Sequence, residues 1–418
     1  MMGLPRIARV FGAVNIGSFR VAAMIMGVSE TGEMVVLGSG HRQAQGIHRG
    51  FVTDMTAATY AIRNAVERAE ENAGTRVQSV WVGCAGAGLT SRVAKVEVPI
   101  GGRRIEEEDI EHLLLAANQN IEPDGRMVLH AQPAHYTLDG AHGVANPKGL
   151  HAERLGVDIH VMLAEGAPVR NLKDAVENAH LSVESVVAAP IAAGYACLSP
   201  EERELGTAMI ELGGEVTNIG IFKHGMLVGL TSIPLGAADI TDAVASAFGI
   251  RRFQAERLKC LAGSAIASPS DHREMVPVNA PGDGVSEDHK INRAELVSVI
   301  TEQLARLTDE AGRALKGLDF AGARGQVVLT GGGAQLAGVA EFMQGALGRP
   351  VRVGKPPELR GLPDAMRNPG FATLAGLCIY AANDPIDIRS IDKRYQKTTR
   401  ATGVGLINRI WSAAREHF

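Results

Sequence analysis

The stretch Ala208-Met-Ile-Glu-Leu-Gly-Gly-Glu-Val-Thr-Asn-Ile-Gly-Ile-Phe222 sets two apolar runs around a Gly213-Gly214 turn. Ala208, Met209, Ile210 and Leu212 read as a buried strand and Ile219, Ile221 and Phe222 as its antiparallel return, so the backbone reverses between them. Glycine at the reversal leaves main-chain N–H groups open to an anion, because no Cβ shields them. One such turn is equally the mark of an ordinary hairpin, but the chain has two more. Val10–Val21, VFGAVNIGSFRV, repeats the strand, turn, strand pattern around Gly17-Ser18. Gln326–Val339, QVVLTGGGAQLAGV, runs from a strand into Gly331-Gly332-Gly333 and then a helical pattern, a geometry suited to an anion at a helix N-terminus. Three widely spaced glycine turns in this order imply two lobes closing on one nucleotide.

With 418 residues the chain has length for two or more domains, each with its own core. Its net charge of −4 supplies no basic field, so nucleic acid is not an expected partner. Cys84, Cys197, Cys260 and Cys378 are far apart and form no C-x-x-C pair, which points to buried reduced thiols. The histidines lack ligand spacing, and no metal site built from side chains is expected. Neither a secretory signal nor a spanning segment stands out, so a cytoplasmic protein is expected.

Along the chain, Ile7–Leu37 reads as successive strands. Asp54–Asn72 reads as a helix with Ala57, Ala58, Ala61, Ile62, Ala65, Val66 and Ala69 on one side, and Thr75–Gly83 as a returning strand. Residues 86–166 differ in texture: strands at Val93–Val98, Met127–Tyr136 and Gly156–Leu163, and an acidic-start helix at Ile105–Ala117, read as a small α+β insertion in the first lobe. A second lobe begins near Glu204. It continues through helices at Gly236–Phe248 and Phe253–Ala262, a loop-rich stretch from Ser264 to Lys290, and a long helix from an Asn292 cap. Phe371–Ala382 closes the core as a helix.

The order of the three turns resembles the actin, Hsp70 and sugar-kinase superfamily. The segments between them are similar to those of the bacterial cell-division family FtsA: Gly46-Ile-His-Arg-Gly-Phe-Val-Thr-Asp54, His135-Tyr-Thr-Leu-Asp-Gly140, Asn146-Pro-Lys-Gly149, the pair Glu256 and Lys259, and Asn368-Pro-Gly-Phe-Ala-Thr373. The resemblance covers nearly the whole chain. It implies an α/β, actin-like two-lobed ATPase fold with an inserted small α+β subdomain and a C-terminal amphipathic helix. The first lobe would take residues 1–85, 167–198 and 359–385, and the insertion 86–166. The second lobe would take 199–238 and 293–358, with 239–292 as its peripheral subdomain. A basic linker, 386–403, and a terminal helix, 404–418, would follow.

For ATP with Mg²⁺ the resemblance implies phosphate contacts from Gly17, Ser18, Arg20, Gly213 and Gly214. It places Glu256 and Lys259 by the ribose and base, and Gly331, Gly332 and Gly333 against adenine and phosphates. Read without the family, Ser18 could merely cap its turn or equally bind a terminal phosphate through its hydroxyl and N–H, and Glu256 with Lys259 could be an exposed ion pair of small worth. The chain departs from the family at the chemistry. Asn15 and Glu211 stand where the family has Asp, Glu215 replaces Gly, Val216 replaces Thr, and Asn218 replaces Asp. A carboxylate at 215 beside the phosphate cradle repels a triphosphate unless a cation offsets it. The expectation is therefore weak nucleotide binding with, at most, slow hydrolysis.

Arg389, Lys393, Arg394, Lys397 and Arg400 lie in a polar stretch read as a linker. In the helix that follows, Leu406, Ile407, Ile410, Trp411, Ala414 and Phe418 share one side, and Asn408, Arg409, Ser412, Arg415 and Glu416 the other. Such a helix can dock on its own globule or lie in a bilayer interface. The basic linker, the aromatic anchors and the family favour anionic lipid, with Leu406, Ile407, Arg409, Ile410, Trp411, Arg415 and Phe418 in contact. The resemblance also implies self-association into filaments, partners in the division machinery through 86–166, and attachment of the tubulin-like protein FtsZ. The location implied is the cytoplasmic face of the inner membrane at the septum. The rivals are a sugar-kinase-like enzyme, which lacks its cleft Asp here, a chaperone, which lacks room for a substrate domain after Ala382, and a pilus-type or shape-determining actin relative.

Overall fold

The computed structural model describes residues 6–86, 88–144, 146–279, 289–320, 325–383 and 385–390. The Gly17-Ser18 hairpin forms as strands Ile7–Ile16 and Arg20–Ser29, with Ile16 opposite Val21. They are the centre of a five-stranded sheet in the order Ser182–Ala188, Ser79–Cys84, Ile7–Ile16, Arg20–Ser29, Met34–Gln43. Helix Met55–Ala73 lies against the last two of these strands. Asp54 caps it by accepting from the Ala57 N–H at 3.0 Å, and Gly74 ends it in the left-handed conformation. Its buried face is Ala58, Ala61, Ile62, Ala65, Val66 and Ala69, and Ala57 sits at the margin.

Helices Ala189–Cys197 and Ala372–Asn383 pack together beside the same sheet. Their backbones touch at Gly376, where an added Cβ would stand 1.7 Å from the Ala192 carbonyl oxygen. Any larger residue there would force the two helices apart.

A second sheet runs Val351–Val353, Val327–Thr330, Thr207–Leu212, Thr217–Lys223, Met226–Ile233, then Thr90–Pro99, Arg154–Ala164, Met127–Leu138, Ala141–Val144. Its first five strands are the second lobe, covered by helices Ala237–Phe248, Arg252–Leu261, Arg293–Gly317 and Val339–Leu347. The last four belong to the insertion. In sequence the insertion interrupts the first lobe, yet its hydrogen bonding extends the second lobe's sheet, through the pairing of Thr231 with Thr90. Helix Glu107–Gln119 lays Ile110, Leu113, Leu114 and Ala117 over the inward residues of Arg154–Ala164. The strand Ala141–Val144 is not among those read from the sequence, because its glycine and polar residues hide the period of two.

Residues 386–390, expected to open the basic linker, are part of the insertion's core. Ile388 is fully buried there, and the Arg389 guanidinium donates to the carbonyls of Val128, at 2.6 Å, and Leu129 while Asp387 holds it. The positive charge that made this stretch read as linker is spent on backbone oxygens. The expected helix at 404–418 and the linker from 391 lie outside the described residues. Cys84, Cys197 and Cys378 are buried free thiols, and burial pushes Cys84 up to about 12 and Cys197 to about 11. Cys260 departs from expectation: it is exposed, on the outer side of Arg252–Leu261.

Candidate functional site

Each lobe offers a turn of the same construction. The Gly17 N–H donates to the Arg20 carbonyl at 3.0 Å, and the Gly213 N–H donates to the Val216 carbonyl at 3.0 Å. The two turns meet, since a Cβ on Gly214 would stand 3.1 Å from the Phe19 Cβ. The third turn closes against them. Gly331 has φ +87°, where side chains are strained, and a Cβ there would lie 2.4 Å from the Leu212 carbonyl oxygen. Between the lobes opens a cleft of about 1190 Å³, lined among others by Ser18, Arg20, Gly214, Thr241, Glu256, Gln335 and Asn368. Sites that hold drug-sized ligands span roughly 300–1,000 Å³, so a nucleoside triphosphate has room.

The third turn corrects an expectation. Gly331 does not open an α-helix; Gly332–Gln335 form a single 3₁₀ turn, and the α-helix begins only at Val339. Gly338, with φ +74°, separates the two, so the motif presents a glycine-walled ledge rather than a helix dipole. Gly331, Gly332 and Gly333 shape this ledge without lining the cleft, whereas Gln335 and Asn368 beside it do.

Arg20 is a half-buried cation without a carboxylate. No ion pair to it exists among the described residues; its guanidinium stacks on the Phe371 ring at 4.4 Å and near Phe19 at 5.9 Å. Burial alone holds its pKa below the ordinary arginine value. His41, another lining residue, is likewise lowered by burial and by the charges of Arg20 and Arg68. A buried charge without a partner is costly, and an anionic ligand relieves that cost.

Glu256 and Lys259 are not the exposed pair the residue types alone allow. Lys259 is buried, and its ammonium donates to the Ala237 carbonyl (3.0 Å), Thr241 Oγ1 (2.7 Å) and Glu256 Oε2 (2.7 Å). Those three bonds use its three donors. Burial works against ionisation of Glu256, but the Lys259 charge and the hydrogen bonds from Lys259, Thr241 and Cys260 outweigh it and lower its pKa. Glu256 lines the cleft, and Lys259 stands behind it as a positioning residue.

Asn15 and Glu211, which stand where the family has Asp, behave differently from a metal-holding pair. Asn15 directs its side-chain oxygen toward Gly83, 2.8 Å from where a Cβ would be. Glu211 is buried, and both its oxygens are taken, by the Thr373 hydroxyl and by Asn218 Nδ2 at 2.9 Å. Ser232 and the Gly86 N–H in turn donate to Asn218 Oδ1, at 2.8 and 3.4 Å. The network ties the second lobe's turn strands to the helix that closes the first lobe. Among the described residues no group of three or more His, Cys, Asp or Glu could hold a metal.

Burial raises the Glu211 pKa, against the pull of its two hydrogen bonds. The native state then binds a proton more readily than the unfolded chain, so stability falls as pH rises from the ordinary glutamate value through the raised one. Glu211→Gln is expected to remove that fall. Its thermal midpoint should exceed the parent's at pH 8 and match it at pH 4.5. A constant difference across this range, read by calorimetry, contradicts the assignment.

Sequence reasoning did not pick out His48, Arg49, Arg252 and Asp239, which line or bridge the cleft. Arg49, at φ +48°, reaches from the first lobe to the second, where its guanidinium binds the Pro234 carbonyl (2.8 Å) and Asp239 (3.2 Å). The available signal was an arginine set in a Gly-Ile-His-Arg-Gly turn. Its partners lie more than 180 residues away, which no local pattern reveals.

Two lobes, each giving a glycine turn to one cleft, with a small subdomain inserted between segments of the first, define an actin-like protein. Solved structures agree on the fold. The chain is similar to the PilM-PilN type IV pilus biogenesis complex (TM-score 0.61, 18% identity, covering 90% of this chain and 99% of that one). It is also similar to MreB5 of Spiroplasma citri bound to ADP (TM-score 0.53, 14% identity, covering 95% and 99%). Sequence relatives narrow the class. The chain is 33% identical to the cell division protein FtsA of Agrobacterium fabrum, covering 93% of this chain and 92% of that one, and 28% identical to that of Escherichia coli K12, covering 97% of each. The profile of the cell division protein FtsA matches residues 208–376, and that of the SHS2 domain inserted in FtsA matches residues 86–163. The chain belongs to the FtsA family of cell-division proteins. No helix among the described residues is long and apolar enough to cross a membrane.

Proposed function

We propose that this protein is an actin-like scaffold of cell division that binds adenine nucleotide weakly, self-associates, and anchors FtsZ to the cytoplasmic membrane. The observation that carries the nucleotide part is the meeting of three glycine turns at a cleft holding a half-buried arginine that has no ion pair among the described residues. In support, MreB5 relatives of the same fold were solved with ADP and with AMPPNP. Ser18, Arg20 and the N–H groups around Gly17, Gly213 and Gly214 would take the phosphates. Glu256, held by Lys259, would take the ribose, and the base would lie at the edge of the Gly331–Gly333 ledge, where Gln335 and Asn368 line the cleft. Mg²⁺ would arrive on the phosphates with its own waters, since the residues at 15 and 211 offer it no free carboxylate. Hydrolysis would then be slow at most, and nucleotide would act by binding assembly states unequally.

Residues 86–166 would meet neighbouring subunits and division partners, and 404–418 would tether the body to anionic lipid at the septum. The test is reconstitution. FtsZ should sediment with anionic vesicles when the protein is present and stay in solution when it is left out. FtsZ left behind by vesicles that carry the protein contradicts the anchoring role.

A further inference from the structure

Glu215 is the residue expected to repel a triphosphate, and its carboxylate is not left facing the cleft unpaired. Oε2 accepts from the Arg49 N–H at 2.8 Å and from His48 Nδ1 at 2.9 Å; Oε1 lies 3.8 Å from the Arg252 guanidinium. Glu215 is nearly buried, at 13% side-chain exposure, while His48 is largely open at 61%. Both hydrogen-bond donors come from the first lobe, and the Arg252 guanidinium, held by Asp242 at 2.7 Å, adds its charge from the second. Beside them the Gly50 N–H donates to the Ser18 hydroxyl at 3.4 Å, so the phosphate turn of the first lobe belongs to the same cluster. Glu215, His48, Arg252 and Ser18 all line the cleft.

A backbone N–H, an imidazole and a guanidinium converging on two oxygens is a donor set for a tetrahedral anion as much as for a carboxylate. The backbone is shaped for it: Arg49 holds a left-handed φ that non-glycine residues rarely adopt, and this aims its N–H across the cleft while its side chain grips Pro234 and Asp239. We propose that His48, the Arg49 N–H and Arg252 form a binding site for the terminal phosphate of a nucleoside triphosphate, and that Glu215 fills this site as an internal anion. The carboxylate thereby closes the lobes without ligand and competes with the third phosphate. A diphosphate, lacking that group, leaves Glu215 in place. This inference rests on the nucleotide reading given above. It supplies a reason for weak triphosphate binding other than charge repulsion alone, because the incoming phosphate must displace a ligand that is already bonded.

The experiment compares full-length parent, Glu215→Gln and Glu215→Gly by calorimetric titration with Mg-ATP and Mg-ADP, and by hydrogen exchange of residues 46–54 without nucleotide. Removing the carboxylate is expected to tighten Mg-ATP at least tenfold and Mg-ADP by less than threefold. It should also speed exchange at 46–54 in the nucleotide-free protein. Equal gains for both nucleotides, or no gain for either while the parent binds both, overturn the competition. Unchanged exchange at 46–54 overturns the internal closure. If neither parent nor variants bind any nucleotide, the nucleotide reading falls and takes the phosphate site with it, but the exchange result still decides whether Glu215 holds the lobes. His48→Gln with Arg252→Gln serves as the converse variant, expected to lose ATP affinity more than ADP affinity even in the Glu215→Gln background. Parallel losses contradict the site.

Discussion

Trp411→Glu is expected to leave the protein in solution when vesicles containing anionic lipid are sedimented, under conditions in which the parent goes down with them. On the helix expected from the sequence, Trp411 would stand in the middle of the apolar side formed by Leu406, Ile407, Ile410, Ala414 and Phe418. Burying a large side chain contributes about 1.5–3 kcal/mol, and each basic residue near an anionic surface about 1 kcal/mol. Replacing the indole by a carboxylate removes the first and opposes the second, a combined change of about 2.5–4 kcal/mol, or roughly 60- to 700-fold in partitioning. A helix that instead docked on its own globule would give a different signature. The variant would then sediment like the parent and melt at a lower temperature. Those two readings separate the membrane from the core as the destination of the tail.

The second large effect belongs to Arg20. A hydrogen bond to a charged group contributes about 1.5–3 kcal/mol, so Arg20→Ala should weaken Mg-ATP binding by roughly 10- to 150-fold. Because Arg20 has no carboxylate among the described residues to leave unpaired, the same change should leave the thermal midpoint of the nucleotide-free protein unchanged or slightly raised. Arg20→Lys, which keeps the charge but loses the flat stack on Phe371, should fall between the two. A drop in midpoint with no change in affinity would mean that Arg20 serves packing and not a ligand.

Much of this was legible in the chain because the governing signals are local. The apolar runs on either side of Gly17 and Gly213 read as strands that turn back on each other and pair so, and Asp54 and Asn292 cap the helices they precede. What stayed hidden depends on residues distant in sequence. Glu211 read as a degenerate catalytic position, and its actual partner, Thr373, lies 162 residues on. Arg389 read as linker charge, yet its bonds go to Val128 and Leu129. Glu215 read as an uncompensated carboxylate, and the groups that compensate it come from another lobe and another helix. The insertion's sheet continues that of the second lobe through one pairing, Thr231 with Thr90, which neither segment's own pattern encodes. In each case the residue type was informative and the partner was not.

A crystal structure of the full chain grown with a saturating Mg-bound, non-hydrolysable ATP analogue tests the shared pocket most directly. The account predicts phosphates against Ser18, the Gly214 turn and the Arg20 guanidinium, ribose at Glu256, and the base at the edge of the Gly331–Gly333 ledge. An analogue bound elsewhere on the molecule, or an empty cleft beside a bound Glu215 carboxylate at that concentration, would contradict it.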